Sequence, residues 1–98
     1  MLLHTVLIRP NALKAEPDFD ALAVQTAKIA ERLCGLGNFD VGPNSTHEPL
    51  DQGYVFGFIL RFADRDALSA YHADPEHELL SKRIQELAET VLVFDLET

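Results

Sequence analysis

The sequence is poor in cysteine and in basic residues, and both shortages restrict its function. Cys34 is the one cysteine among 98 residues, so neither a disulfide within the chain nor a site built from several cysteines can form. Eight lysines and arginines stand against sixteen acidic residues, which gives a net charge of −8. Nucleic acids and anionic membranes attract clusters of Lys and Arg. The charge therefore opposes both as partners.

The sequence also lacks a long apolar run. The longest run, residues 53–60, is less than half of the ~20 residues that a membrane helix needs. The start, residues 1–5, has neither the basic segment nor the small-residue cleavage site of a secretory signal. Apolar residues nevertheless make up 47% of the chain, which is ordinary for a globular protein. We expect one domain over residues 1–98, located in the reducing cytoplasm.

The periodicity of apolar residues predicts seven elements in the order β-α-β-β-α-α-β. Pro10 cannot donate to a ladder and stops the first strand, and Gly35 and Gly37 end the first helix. Asp74 and Pro75 supply the cap and first position of the last helix. The predicted strands are residues 2–9, 39–42, 54–62 (the longest) and 91–96. The first predicted helix begins at Pro17–Asp18 and ends before Gly35. The second runs from Asp64 to Tyr71, and the third from Asp74 to Ala88.

This order predicts a ferredoxin-like α+β fold, in which two right-handed crossovers joined by a hairpin build an antiparallel four-stranded sheet. All helices then lie on one face, so the other face should be polar in a monomer. Instead every long strand is apolar on both faces, with Phe58 and Ile59 as one example. An uncovered apolar face marks an interaction site. We expect a homodimer that packs sheet against sheet into an α+β barrel; the alternative is a loop or the N-terminus folded over that face.

Three side chains are candidates for chemistry in the interior. His4 shares a strand face with Val6 and Ile8, and His77 lies near the start of the last helix. The positive end of the helix dipole should lower the pKa of His77 and keep it neutral, as a general base requires. Tyr71 ends the preceding helix and can donate to an oxyanion. The alternative for all three is packing with one hydrogen bond each.

Other reactive side chains are weaker candidates. His72, Asp74 and His77 have poor spacing for metal ligands because a proline-opened helix begins between them, so we expect no metal site. His47 lies in a loop and is expected to be solvated. Cys34 has no paired base and is expected to act as a small apolar filler.

The most specific motif is Tyr-x-x-x-Pro-x-His, formed by Tyr71, Pro75 and His77. With it, the chain resembles the stress-responsive α/β-barrel (Dabb) family nearly end to end. Members of that family commonly carry His where this chain has Asp74. The further segments that support the resemblance are LHTVL (3–7), FDVG (39–42), QGY (52–54) and VLVFD (91–95).

The resemblance implies the same dimeric α+β barrel. One plant branch, similar to olivetolic acid cyclase, closes a linear polyketide by aldol chemistry without a cofactor. By that resemblance its cavity histidines and tyrosine correspond to His4, Tyr71 and His77. Two further polar positions in the cavity of that branch, where a Tyr or His is expected, correspond to Thr26 and Phe56. This chain therefore retains neither of those polar residues. The residues assigned to the ligand cavity are Thr26, Phe56 and Phe58.

These observations leave several functions open. The first is a homodimer that binds a small apolar or aromatic molecule without a cofactor. The second is a cofactor-independent cyclase or isomerase with His77 as general base and Tyr71 as oxyanion donor. The third is a structural or regulatory dimer whose interior is filled by Phe56 or Phe58. A fourth possibility is a cofactor-free oxygenase of the related dimeric-barrel type, but no residue in the sequence points specifically to that function.

Overall fold

The computed structural model describes residues 1–11 and 19–98. In that part of the chain, four antiparallel strands form one sheet in the order β2-β3-β1-β4, with three helices. This is the ferredoxin-like α+β fold that the sequence predicts. The elements are β1 (Leu2–Pro10), α1 (Phe19–Cys34), β2 (Phe39–Pro43), β3 (Phe56–Phe62), α2 (Arg65–Ala73), α3 (Pro75–Leu87) and β4 (Ala88–Glu97).

The bounds of several elements differ from the sequence prediction. Pro10 does not stop β1: it is the last residue of the strand and pairs with Ala88 after a shift in register. β2 extends to Pro43, and α2 continues past Tyr71 to Ala73.

The two other strands differ more. β3 has 7 residues and begins at Phe56 rather than Tyr54, because the preceding turn holds Gln52 and Gly53 at φ of 56° and 83°. The longest strand is instead β4, with 10 residues. It begins at Ala88, which the sequence assigned to the last helix. The predicted helix start at Pro17 and Asp18 lies outside the described residues.

The helix ends follow the local signals in the sequence. Gly35 adopts a φ of 91°, which glycine accepts without strain, and its N–H bonds to the Glu31 carbonyl at 3.2 Å to close α1. The Asp64 carboxylate accepts from the Ala67 N–H at 2.9 Å and caps α2. Asp74 caps α3 in the same way through the Glu76 N–H, at 2.9 Å, and Pro75 takes the first helical position.

The three helices and one face of the sheet enclose the core. Alternate residues of β1 and β3 point into it, which is the period-two pattern of a half-covered sheet. Val6 pairs with Phe58 on one side and with Val93 on the other, so these three side chains point to the helix side of the sheet, where Val6 and Phe58 are buried and Val93 of the border strand is 56% exposed. Leu22 from α1, Leu68 from α2 and Leu80 from α3 are buried against that face. None of the described helices has the length and hydropathy needed to cross a membrane.

The opposite face is apolar and no described helix covers it; we call it the open face. Its rows follow from the register, in which Thr5 pairs with Ile59 and Phe94, and Leu7 with Gly57 and Leu92. The two-faced apolar pattern inferred from the sequence is therefore present in the strands. The apolar side chains of the open face are Leu3, Leu7, Ile59, Leu92, Phe94 and Leu96.

Candidate functional site

The corner between α2 and α3 brings Tyr71 and His77 together. The Asp74 N–H bonds to the Tyr71 carbonyl at 3.2 Å, and the His77 N–H bonds to the Asp74 carbonyl at 3.0 Å. Arg32 of α1 holds the outside of this corner through Asp74, at 2.8 Å. The centroids of the Tyr71 and His77 rings lie 4.6 Å apart in an edge-on arrangement. The Tyr-x-x-x-Pro-x-His motif is thus a turn that sets a phenol beside an imidazole.

His4 reaches the same place from the sheet. It lies on β1, is buried, and its ring centroid is 5.9 Å from Tyr71 and 5.4 Å from His72. The ring of His72 is in turn 5.0 Å from that of His77. On the other side of His4, its Nδ1 lies 2.6 Å from Oδ1 of Asp95 on β4. Three imidazoles, one phenol and one carboxylate therefore form a single cluster.

This cluster is the polar end of a cavity of about 430 Å³. Such a volume is within the usual range for small-molecule sites, about 300–1,000 Å³. Ser81 and Gln85 add polar groups along α3. A shallower depression that shares His72 and His77 reaches Lys82, so the cavity opens beside α3. The remaining walls are apolar and consist of Val6, Phe58, Leu80, Ile84, Val91 and Val93.

Burial sets the protonation states in the cluster. It is the largest cause that lowers the pKa of His77, and the nearby His72 and His4 lower it further; a backbone hydrogen bond at His72 and the Asp74 carboxylate oppose this. Burial and His4 likewise lower the pKa of His72. Burial raises the pKa of the Tyr71 hydroxyl. The lowered pKa of His77 agrees with the sequence prediction, but its main cause is burial rather than the helix dipole.

The structure places the sequence-assigned residues in two groups. His4, Tyr71, His77 and Phe58 line the cavity. Thr26 and Phe56 are buried but are not among the lining residues. The Thr26 hydroxyl is used by its own helix, where it donates to the Leu22 carbonyl at 2.8 Å. Phe56 stacks on Phe19 at 4.8 Å between ring centroids, toward the other end of the sheet.

Two residues of the cluster, His72 and Asp95, were not assigned to the site from the sequence. Asp95 follows Val91 and Val93 at a spacing of two, so an acidic residue on an otherwise apolar strand face is a usable signal. His72 comes four residues after the buried Leu68 and is itself exposed, so it lines the cavity from the outer part of α2. Their convergence depends on the strand order, which a single sequence does not state.

The other candidates lie away from the cluster or form no site. Within residues 1–11 and 19–98, no group of three or more His, Cys, Asp or Glu side chains is arranged to hold a metal ion. His47 is exposed in the loop before β3. Burial raises the pKa of the Cys34 thiol to about 11, which keeps it protonated. A second depression, of about 410 Å³, lies along β2, β3 and β1 on the open face beside Thr5 and Ile59.

The fold and the cavity define a ferredoxin-like α+β domain with a histidine-lined pocket under its helices. The sequence matches the stress responsive A/B barrel domain family, Dabb, over residues 2–98. A dimeric ferredoxin-like protein of unknown function from Jannaschia sp. is 31% identical, with a TM-score of 0.82, and the match covers 99% of this chain and 98% of that chain. The chain therefore belongs to the Dabb family.

More distant structures share the fold. A Dabb family protein from Mesorhizobium loti is 23% identical, with a TM-score of 0.71, over 99% of this chain and 95% of that chain. A hydroxynitrile lyase from Passiflora edulis is 12% identical, with a TM-score of 0.79, over 97% of this chain and 90% of that chain. No protein of curated function matches the sequence.

The lowered pKa values of His72 and His77 predict a pH-dependent stability. The unfolded chain binds protons near the ordinary histidine pKa of 6.5, whereas the folded chain resists them. Stability is therefore fully present above that pKa and is lost as the pH falls below it, through the lowered pKa values of the folded chain. Urea unfolding across this range at fixed protein concentration measures the slope.

The double substitution His72→Gln and His77→Gln should flatten this slope, while His47→Gln in the exposed loop should keep it. An unchanged slope in the double variant contradicts the assignment of the pH dependence to the cluster. The Asp74 carboxylate does not confuse the measurement, because the hydrogen bond from Arg32 lowers its pKa below 3.8. Its contribution is lost only at lower pH.

Proposed function

We propose that this protein is a homodimer in which each protomer binds one small, largely apolar molecule in the histidine-lined cavity. The open face supports the dimer. Leu92, Phe94 and Leu96 are 40%, 57% and 48% exposed, and they lie in register with Leu3 and Leu7. A contiguous apolar face of this kind is rare on monomers. The related Jannaschia protein is described as dimeric.

The cavity supports the ligand. Its apolar walls suit a hydrocarbon or aromatic body, and Tyr71, the three histidines and Asp95 form one polar cluster in its lining, with Ser81 and Gln85 along α3. A ligand with a carbonyl or hydroxyl group at one end satisfies both regions. The single observation that carries the proposal is that a cluster of one phenol, three imidazoles and one carboxylate lines the same cavity as six apolar side chains. Location in the cytoplasm stays a prediction from the single cysteine.

A second candidate function, proton transfer on the bound molecule, is favoured by the pairing of His77 and Tyr71. A neutral imidazole and a protonated phenol 4.6 Å apart, centroid to centroid, are the two groups that enolisation needs. His77 takes a proton from the carbon beside a carbonyl, the C–H electron pair forms a C=C bond, and the carbonyl π pair moves to oxygen. The Tyr71 O–H donates to that oxyanion.

The enolate then has two outcomes, and neither needs a cofactor. Its carbon can bond to a second carbonyl carbon of the same molecule, whose oxygen takes the proton back from the His77 imidazolium. This closes a ring by aldol addition. Alternatively, the imidazolium returns the proton to a different carbon, which is an isomerisation. Both are consistent with a cyclase- or isomerase-like enzyme.

The dimer is tested by sedimentation velocity. The wild type should sediment as a particle of twice 10.9 kDa. Phe94→Asp places a charge in the centre of the open face and should shift the protein toward the monomer. Leu36→Asp is the matched control, because Leu36 is 80% exposed in the turn between α1 and β2, outside the strands of the open face, and should leave the dimer intact. A folded wild type that sediments at 10.9 kDa contradicts the proposal.

Ligand binding is tested with a library of small aromatic and aliphatic carbonyl compounds, followed by NMR of the histidine ring protons. Bound compounds should shift the His4, His72 and His77 signals together and saturably. Ser81→Phe fills the cavity and should weaken binding by at least about tenfold, or about 1.4 kcal/mol. Ser69→Phe, on the exposed side of α2, should not. The cavity is excluded as the site if no compound shifts these signals, or if Ser81→Phe binds as well as wild type.

Proton transfer is tested by deuterium incorporation at the carbon beside the carbonyl of a bound ketone. The wild type should accelerate exchange, and His77→Ala should lose about 10²–10⁴-fold of that rate while still binding. Tyr71→Phe should lose about 10²–10³-fold, since the oxyanion donor is gone. His47→Ala serves as the matched histidine control and should exchange like wild type. Full exchange in His77→Ala rejects His77 as the base.

A further inference from the structure

A carboxylate lies behind His4 on the neighbouring strand. His4 of β1 and Asp95 of β4 are directly paired in the register, and both face the helices. The His4 side chain is 5% exposed and that of Asp95 is 29% exposed. The distance of 2.6 Å between Nδ1 and Oδ1 is short, as expected when one partner is charged.

The Asp95 charge has no other strong partner in the described part of the chain. None of the lysine or arginine ion pairs found there involves Asp95. An ionised carboxylate can only accept hydrogen bonds, so the nitrogen that faces it must carry the hydrogen. Nδ1 of His4 is therefore the N–H, and it donates to Asp95.

This hydrogen bond decides what His4 offers to the cavity. In a neutral imidazole one nitrogen is a donor and the other an acceptor. With Nδ1 protonated, Nε2 carries the free electron pair. Nε2 has no hydrogen-bond partner among residues 1–11 and 19–98, while the ring lines the cavity. His4 thus presents an acceptor to any bound molecule.

We propose that Asp95 is a positioning residue that fixes this tautomer of His4 and makes His4 a second proton acceptor in the cavity, besides His77. The role of His4 also limits which ligands fit the cavity, and this second part of the proposal rests on the proposed binding function. A molecule that fits must present a hydroxyl hydrogen to His4 and an oxygen acceptor to Tyr71. Phenols and enols that also carry a carbonyl group have this pair of groups.

A purely structural reading of Asp95 makes a different prediction. If Asp95 only joined β4 to β1, its removal would change stability and leave the chemistry of the His4 ring as it was. The two readings are separated by observing the ring nitrogens directly. Long-range ¹H–¹⁵N NMR distinguishes a protonated from an unprotonated ring nitrogen in the ligand-free protein.

The first experiment needs neither a ligand nor a reaction. In wild-type protein, at a pH where the histidines are neutral, His4 should show protonated Nδ1 and unprotonated Nε2. Asp95→Ala should move the hydrogen to Nε2, the site that free histidine prefers, while the His77 pattern serves as the internal control. The isosteric Asp95→Asn, which should lower the Nδ1–H population, replaces Asp95→Ala if the latter fails to fold. Protonated Nε2 in the wild type, or an unchanged His4 pattern in the variants, overturns the proposal.

The second experiment compares 4-hydroxyacetophenone with its 4-methoxy analogue, which lacks the hydroxyl hydrogen. The wild type should bind the phenol at least about tenfold more tightly. Asp95→Ala should bind both with similar affinity. Equal affinity in the wild type rejects the ligand class assigned to His4. If the protein binds neither compound, the proposed binding function fails for this class, and the NMR pattern alone decides the role of Asp95.

Discussion

The alternation of side chains along the strands is the constraint on which the molecule depends. Every second residue of β1, β3 and β4 faces the helices, and the residues between them face away. A slip of one residue would move His4 and Asp95 to the open face and Leu3 and Leu7 into the core. Core, cavity and open face are therefore fixed by one register. The buried Val6–Phe58 pair stabilises that register where the cavity needs it.

The corner at Asp74 and Pro75 sets the positions of residues on the helices, as the register sets those on the strands. Asp74 ends α2 through its backbone N–H, and its carboxylate caps α3 and binds Arg32 of α1, so one residue contacts three helices. Tyr71 and His77 lie on either side of it. Their closeness thus follows from local backbone hydrogen bonds, while the position of His4 follows from the sheet. The cluster forms where the corner between α2 and α3 lies against β1 of the sheet.

Local signals in the sequence were enough for the element order, the caps and the two apolar faces, because alternation and helix capping act over a few residues. The ends of β3 and β4 were less predictable, since the turn at Gly53 and the early start at Ala88 depend on tertiary pairing. For the cavity, residue type indicated His4, Tyr71 and His77. Thr26 and Phe56 are also buried, but burial alone does not tell which part of the interior is empty. Asp95 needed the strand order.

The position of β4 at the border of the described sheet has a consequence for how copies of the chain meet. A border strand exposes unpaired backbone groups that invite lateral growth by further strands. Here that strand carries the exposed Glu89 on a chain whose net charge is −8, while Asp95 and Glu97 are paired with His4 and Arg65. Negative charges of two copies repel each other at this edge strand, which opposes growth of the sheet by pairing with the edge strands of further copies. Association at the rim is thereby disfavoured, which leaves the open face as the surface that the proposed homodimer uses.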